Sequence, residues 1–110
     1  MQNSQPAIAV SVEQSQANIV RHLRSLLDHS PENMNGNWAD GLLEALAMLA
    51  TLPLDSQEYS LATNRLQNAR RYVAAREPGA ARFEVQLLLG SILRLEDNRP
   101  IRRRLRPRAN

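Results

Sequence analysis

The stretch that most constrains the fold runs from 85 to 95, reads VQLLLGSILRL, and is apolar almost all the way round a helix. At about 100° per residue, one broad face carries five aliphatic side chains, those of Val85, Leu88, Leu89, Ile92 and Leu95. Phe83 and Leu87 lie on nearly the opposite side, with the small residue Gly90 beside them. A helix in water needs only one apolar stripe. The sequence therefore predicts either the central helix of a small bundle or half of a subunit interface.

The length and composition of the chain favour one small helical domain. A chain of 110 residues fits a single domain with one modest core. Hydrophobic residues make up 43% of the chain and aromatic residues only 4%, so the core is expected to be aliphatic. A high content of leucine and alanine is typical of helices. We predict an all-α fold, a small four-helix bundle-like domain with a disordered N-terminal leader and an Arg-rich C-terminal tail.

Capping and helix-breaking residues predict four helices, at 11–29, 38–52, 56–77 and 80–97. Ser11 followed by Gln14, and Asp55 followed by Glu58, have the spacing of capping boxes that open the first and third helices. Asn37 is the predicted N-cap of the second helix. Further along the chain, Pro53 is predicted to stop the second helix and Pro78-Gly79 the third.

The four predicted helices differ in how much polar surface they carry. The second helix is nearly as apolar as the fourth, so we expect these two to be neighbours, with the fourth the most buried. The third helix has a thin, alanine-rich stripe and is expected to be the outer, solvent-facing one. The first helix has one packing face, and both histidines, His22 and His29, are expected on its wet face.

Charge divides the chain into a mildly acidic domain, 11–98, and a basic tail, 99–110. Residues 1–98 contain eight arginines and all eleven acidic residues, whereas the tail contains six arginines, two prolines and no acid. The polar segment 1–10 is predicted to be a disordered leader, and the tail is predicted to be disordered when free.

The sequence lacks the motifs of an enzyme, a metal site or a cofactor site. It has no cysteine, and its two histidines lie about 10 Å apart along a helix, too far for one metal ion. It contains no G-x-S-x-G, no G-x-G-x-x-G and no P-loop. We therefore predict no catalytic activity, no cofactor and no small-molecule substrate.

The sequence also predicts where the protein resides. The first ten residues lack the basic start of a secretory signal, and no apolar stretch reaches the roughly 18 residues that span a membrane. We expect no contact with membranes and a cytoplasmic protein.

The leading functional hypothesis is a protein–protein interaction module: an adaptor, assembly or regulatory factor that is a homodimer or is bound to a partner. It rests on the excess of apolar surface on the second and fourth helices. The candidate interface residues are Leu61, Tyr72, Phe83, Leu87 and Gly90. The alternative is that all of this surface closes inside a four-helix monomer.

The competing hypothesis is a nucleic-acid-binding protein, since arginine suits phosphate recognition. The candidate contacts are Arg70, Arg71, Arg99, Arg102, Arg103, Arg104, Arg106 and Arg108, with Arg65, Arg76 and Arg82 as further possibilities. The tail has no aromatic residue for base stacking, so such binding would be directed at the backbone. Two alternatives remain, a solubilising tail or one that docks on an acidic protein groove.

Overall fold

The computed structural model describes residues 12–29 and 37–97, and it describes 96 and 97 by their backbone only. These ranges form four helices, α1 (Val12–Leu27), α2 (Asn37–Leu49), α3 (Ser56–Ala74) and α4 (Pro78–Asp97), and no strand. The predicted all-α, four-helix fold is confirmed. The predicted leader and tail, and the predicted cap at Ser11, lie outside the described residues.

The helices form an antiparallel bundle in which each helix packs beside the next in sequence and α4 returns to α1. Residue numbers rise in opposite directions across these contacts. Gln16 near the start of α1 meets Ile92 near the end of α4, and Leu27 at the end of α1 meets Arg82 near the start of α4. This is the up-down-up-down arrangement that short connections favour.

The predicted capping box of α3 is confirmed. The backbone N–H of Glu58 donates to Asp55 Oδ1 at 2.7 Å, and the N–H of Asp55 donates to Glu58 Oε1 at 3.0 Å. Two amide groups that the first turn leaves without helical partners are thereby satisfied. α3 buries only Ala62, Leu66 and Ala69, as expected for a helix that largely faces solvent, but it is not an outer helix, because it packs against both α2 and α4.

The C-terminal ends of three predicted helices are wrong by two or three residues. α1 ends at Leu27 instead of 29. α2 ends at Leu49 instead of 52, because 50–52 turn with i to i−3 hydrogen bonds ahead of Pro53. α3 ends at Ala74, and Arg76 takes a left-handed backbone conformation with φ 61° that reverses the chain. Pro78 then opens α4, because its fixed φ suits the first turn of a helix, where no N–H is needed.

Trp38 is the largest side chain of the core and is fully buried. Its indole Nε1 donates to the carbonyl oxygen of His29 at 3.1 Å, so the polar atom of this buried ring is satisfied. The bond also ties the start of α2 to the turn that follows α1. Around Trp38 the core is aliphatic, as predicted, and contains Ile19, Leu23, Leu26, Leu42, Ala45, Leu49, Leu52, Ala62, Leu66, Ala69, Ala81, Val85, Leu88 and Ile92.

Gly41 allows α1 and α2 to approach closely. A Cβ atom at this position would lie 2.6 Å from Leu26 Cδ2, which is too close for ordinary contact. At the same crossing His22 Nε2 lies 2.8 Å from the carbonyl oxygen of Gly41. A carbonyl only accepts, so this bond requires the proton on Nε2. His22 is half-buried against α2, and the prediction that it lies on the wet face is wrong; His29 is exposed, as predicted.

The expected contact between the two most apolar helices is also wrong. Among the described residues α2 packs against α1 and α3, and α4 packs against the same two helices, so α2 and α4 lie diagonally across the bundle. α4 is not a central helix, and α2 buries the larger share of its length. α2 and α4 are not neighbours because each helix in a ring of four has only two adjacent helices.

Candidate protein interface

One side of α4 faces away from the bundle and carries an apolar strip. Phe83, Leu87, Gly90 and Arg94, called the outer strip below, recur at spacings of four, three and four residues. They fall within about 60° of one another on a helix of 100° per residue. Phe83 is 57% exposed, Arg94 is exposed, and Leu87 and Gly90 are half-buried. Three of the five predicted interface residues, Phe83, Leu87 and Gly90, therefore lie together on one side of α4.

The opposite side of α4 is buried. Ala81, Val85, Leu88 and Ile92, called the inner face below, are at most 2% exposed and belong to the core. This face packs against α1 and α3. A buried inner face leaves the residues about half a turn away, those of the outer strip, on the perimeter of the bundle.

Two polar contacts between α1 and α4 fix the rotation of α4 about its own axis. Gln16, which is 5% exposed, donates from Nε2 to the carbonyl oxygen of Ile92 at 3.0 Å. Arg82 donates from Nη1 to the carbonyl oxygen of Leu27 at 2.6 Å. The second contact places a cation at the C-terminal end of α1, where carbonyl groups lack helical partners and the helix dipole favours positive charge.

A third polar contact fixes α4 from the side of α3. Arg65 Nη1 lies 3.2 Å from Glu84 Oε1, and this ion pair joins the middle of α3 to the first half of α4. Glu84 is 8% exposed, so its carboxylate depends on Arg65 for compensation. Together, the three polar contacts hold the inner face toward the core and the outer strip toward the outside.

Within the described bundle, no close contact requires residue 90 to be glycine. A Cβ atom built there would meet only Arg94 Nη1, at an ordinary contact distance of 3.5 Å. Glycine in a helix interior is about 1 kcal/mol less favourable than alanine. In contrast to Gly41, which Leu26 requires to be small, Gly90 leaves a notch in the outer strip that, among the described residues, only the flexible end of Arg94 approaches.

A groove of about 270 Å³ lies between the first turns of α3 and the last turns of α4. Its floor is apolar, with Leu88, Ile92 and Leu95, and its rim includes Arg94. Leu61, which is 58% exposed, also lines it. The groove therefore borders the outer strip at Arg94 and places Leu61 on the same side of the molecule.

The structure separates the two α3 candidates of the predicted interface. Leu61 and Tyr72 lie about 16 Å apart along the axis of α3, at 1.5 Å per residue. Tyr72 is half-buried and packs against the core, whereas Leu61 is exposed. The structure thus groups Phe83, Leu87 and Gly90 in one strip, with Leu61 at the adjoining groove and Tyr72 elsewhere.

Sequence reasoning missed Arg94 as a member of this surface. A search for apolar positions passes over an arginine, although the four-three-four spacing from Phe83 could have identified it. It also missed Leu43, which is 48% exposed on α2, with Leu46 and Ala47 one turn further along the same side of the helix.

The arginines of the nucleic-acid hypothesis are divided by the structure. Arg65 and Arg82 are engaged between helices, with the carboxylate of Glu84 and the carbonyl oxygen of Leu27. Two exposed arginines bind neutral amides, Arg70 with Gln67 at 2.9 Å and Arg71 with Asn68 at 2.6 Å. The six tail arginines lie outside the described residues. Nucleic-acid binding stays a prediction from the sequence.

Residues 12–29 and 37–97 contain neither a membrane-spanning helix nor a metal-binding cluster. No helix within these ranges is both long and apolar enough to cross a membrane. The same ranges contain no group of three or more His, Cys, Asp or Glu side chains arranged to hold a metal ion.

Comparison with protein-family models, with curated proteins and with solved structures finds no significant match for this chain. Its function therefore has to be inferred from the geometry of its own residues.

Proposed function

We propose that this chain is a non-enzymatic protein-interaction module, an adaptor, assembly or regulatory factor that binds a protein along the outer strip of α4. The observation that carries the proposal is Gly90, a glycine in the middle of a helix that no packing inside the described bundle requires. A close approach by a second helix or backbone gives this glycine a role.

Phe83 supports the same proposal. It is more than half exposed, although phenylalanine is among the residue types most often buried. Full burial of a phenylalanine side chain is worth about 1.5–3 kcal/mol. Aromatic residues and arginine are enriched in protein interfaces. The outer strip has both, at its two ends, with Leu87 and the notch between them.

Site-specific photocrosslinking of the full-length chain in its own cells tests the proposal. A benzophenone amino acid replaces Phe83 in one variant and Leu43, similarly exposed on α2, in a control variant. We expect covalent protein adducts from the Phe83 position and few from the Leu43 position. Treatment with nuclease before analysis should leave the adducts unchanged. Absence of protein adducts from Phe83, or loss of them with nuclease, would contradict the proposal.

A further inference from the structure

We propose that the protein bound at the outer strip is a second copy of this chain, with the two α4 helices antiparallel and a two-fold axis midway between Leu87 and Gly90. This inference rests on the proposed function and specifies its partner. An interface with two-fold symmetry must be complementary to itself, since the same patch is used on both copies. The outer strip has this property in one register.

In that register each position of the strip faces a different one on the partner. Leu87 faces the partner's Gly90, and Phe83 faces the partner's Arg94. The spacing of four, three and four residues is the a/d pattern of a coiled coil, in which side chains of one helix fit between those of the other. The spacing reads the same in both directions along the helix, so two antiparallel copies of the strip can pair position by position.

Each of these facing pairs is chemically complementary. The leucine side chain of one copy enters the notch that Gly90 leaves on the other, and this explains a glycine that the bundle itself does not need. The guanidinium group of Arg94 lies over the exposed ring of Phe83 of the other copy, where arginine and aromatic faces attract. The contact between Leu87 and Gly90 occurs twice, as does the contact between Phe83 and Arg94.

No described carboxylate holds Arg94 in place, and its end rests beside Gly90 and Ser91 of its own helix. Among the described side chains its hydrogen bond goes to Ser91 Oγ at 3.4 Å, which is long and involves a neutral partner. Glu84, the buried carboxylate of the same helix, is already paired with Arg65.

A parallel pairing of the same strips lacks this complementarity. It would place Arg94 against the partner's Arg94 and Gly90 against the partner's Gly90, so that like charges face each other and the notch stays empty. Like charges in direct contact disfavour a pairing. The antiparallel register is therefore the one that the strip supports.

The contact is small, and this sets the expected affinity. One pair of helices over about three turns buries less than the roughly 800 Å² per partner of a standard interface. The exposed Leu61, which lines the same groove as Arg94, is placed to add area at the edges. We expect a dissociation constant of about 10–100 μM.

Analytical ultracentrifugation of the full-length chain tests the pairing. From low micromolar to about 500 μM, a range set by the expected affinity, the mass should rise from the 12.4 kDa of the monomer toward twice that value. Leu87→Asp should weaken association at least tenfold, and so should Gly90→Leu, which fills the notch. Leu43→Asp on α2 is the matched control and should associate like the wild type. Far-ultraviolet circular dichroism checks that each variant is folded.

Cysteine pairs test the register, because the chain has no cysteine of its own. Phe83→Cys and Arg94→Cys are made as separate variants and oxidised at high concentration, alone and mixed. The antiparallel register predicts a disulfide-linked dimer mainly in the mixture, since two copies of position 83 lie about 16 Å apart along the axis.

Three results would overturn the inference: a monomer throughout the concentration range, a dimer that Leu87→Asp leaves intact, or cross-linking of each cysteine variant mainly with itself. A purified monomer together with Phe83 adducts to a different protein in cells would remove this inference and leave the proposed function standing. Absence of any protein adduct from Phe83 would remove the proposed function.

Discussion

Both sides of α4 carry large apolar side chains, but their surroundings differ. On the inner face, Val85, Leu88 and Ile92 are nearly inaccessible to water, whereas Phe83 on the outer strip is 57% exposed. The helix as a whole therefore has only weak amphipathic character. What distinguishes the two sides is their packing partners. The inner face packs against α1 and α3, whereas no other helix of the described chain packs on the outer strip.

Polar contacts act together with apolar burial to determine which side of α4 faces the core. Three polar groups on or beside the inner half of α4 have partners on α1 or α3. They are the side chains of Glu84 and Arg82 and the carbonyl oxygen of Ile92. A rotation of α4 that buried Phe83 would break all three contacts and leave a carboxylate without its cation. Burial of unpaired polar groups is more costly than exposure of one aromatic ring.

The largest expected effect comes from truncating equivalent leucines on the two sides. Leu88→Ala removes a fully buried side chain and should lower the free energy of unfolding by about 2–5 kcal/mol. Leu87→Ala, one residue earlier and half-buried, should lower it by less than about 1 kcal/mol. Urea unfolding at low micromolar protein, where the chain is expected to be monomeric, measures both. Equal losses would show that the two sides are not distinguished in solution.

The ion pair between α3 and α4 should give the next largest effect. Arg65→Met leaves the buried carboxylate of Glu84 without compensation and should cost about 1–3 kcal/mol, less than a fully buried pair because Arg65 is partly exposed. In a Glu84→Gln background the same Arg65→Met change should cost clearly less. A double-mutant cycle by urea unfolding measures this difference. An equal cost in both backgrounds would contradict the assigned ion pair.

The contact of Gln16 with α4 should contribute a smaller amount. Gln16→Ala removes a buried hydrogen bond to Ile92 and should cost about 1 kcal/mol. Gln86→Ala, at an exposed position of α4, is the control and should change stability by less than about 0.5 kcal/mol. Thermal unfolding followed by circular dichroism suits both variants. If the two substitutions behave alike, Gln16 does not hold α4 in place.

The smallest expected changes in stability come from glycine-to-alanine substitutions, and they should have opposite signs at Gly90 and Gly41. At low protein concentration Gly90→Ala should stabilise the monomer by about 0.5–1 kcal/mol, because alanine favours the helix and its Cβ meets nothing closer than 3.5 Å. Gly41→Ala should destabilise it by about 1 kcal/mol, since the buried end of Leu26 must move. Urea unfolding of both variants gives the comparison. A loss of stability in Gly90→Ala would assign that glycine a role inside the bundle and remove the main support for the interface.

Local sequence patterns were sufficient to predict the fold class and the helices of the described residues. The capping box of Asp55 and Glu58, the break at Pro53 and the apolar spacing from 85 to 95 depend on neighbours within one or two turns. The ends of α2 and α3 were less predictable. A proline such as Pro78 is equally compatible with the end of one helix and with the first turn of the next. The backbone conformation of Arg76 shows that the chain has already left α3 before Pro78.

Features that depend on two helices could not be predicted from one sequence. The contact of His22 with the carbonyl oxygen of Gly41 requires the spacing between α1 and α2, and the diagonal position of α2 and α4 requires the whole packing order. The outer strip was partly predictable, since Phe83, Leu87 and Gly90 share a side of one helix. Arg94 continues the same spacing, but a search for apolar positions passes over it.

Heteronuclear NMR of the full-length chain over a dilution series tests most directly whether the outer strip is the surface that meets a second copy. Amide signals of Phe83, Leu87, Gly90 and Arg94 should shift progressively as the protein is concentrated from about 20 to 500 μM, across the expected dissociation constant. Signals of residues around Leu43 on α2 should stay in place over the same range. Concentration-dependent shifts centred on α2, or none on α4 at any concentration, would contradict the account.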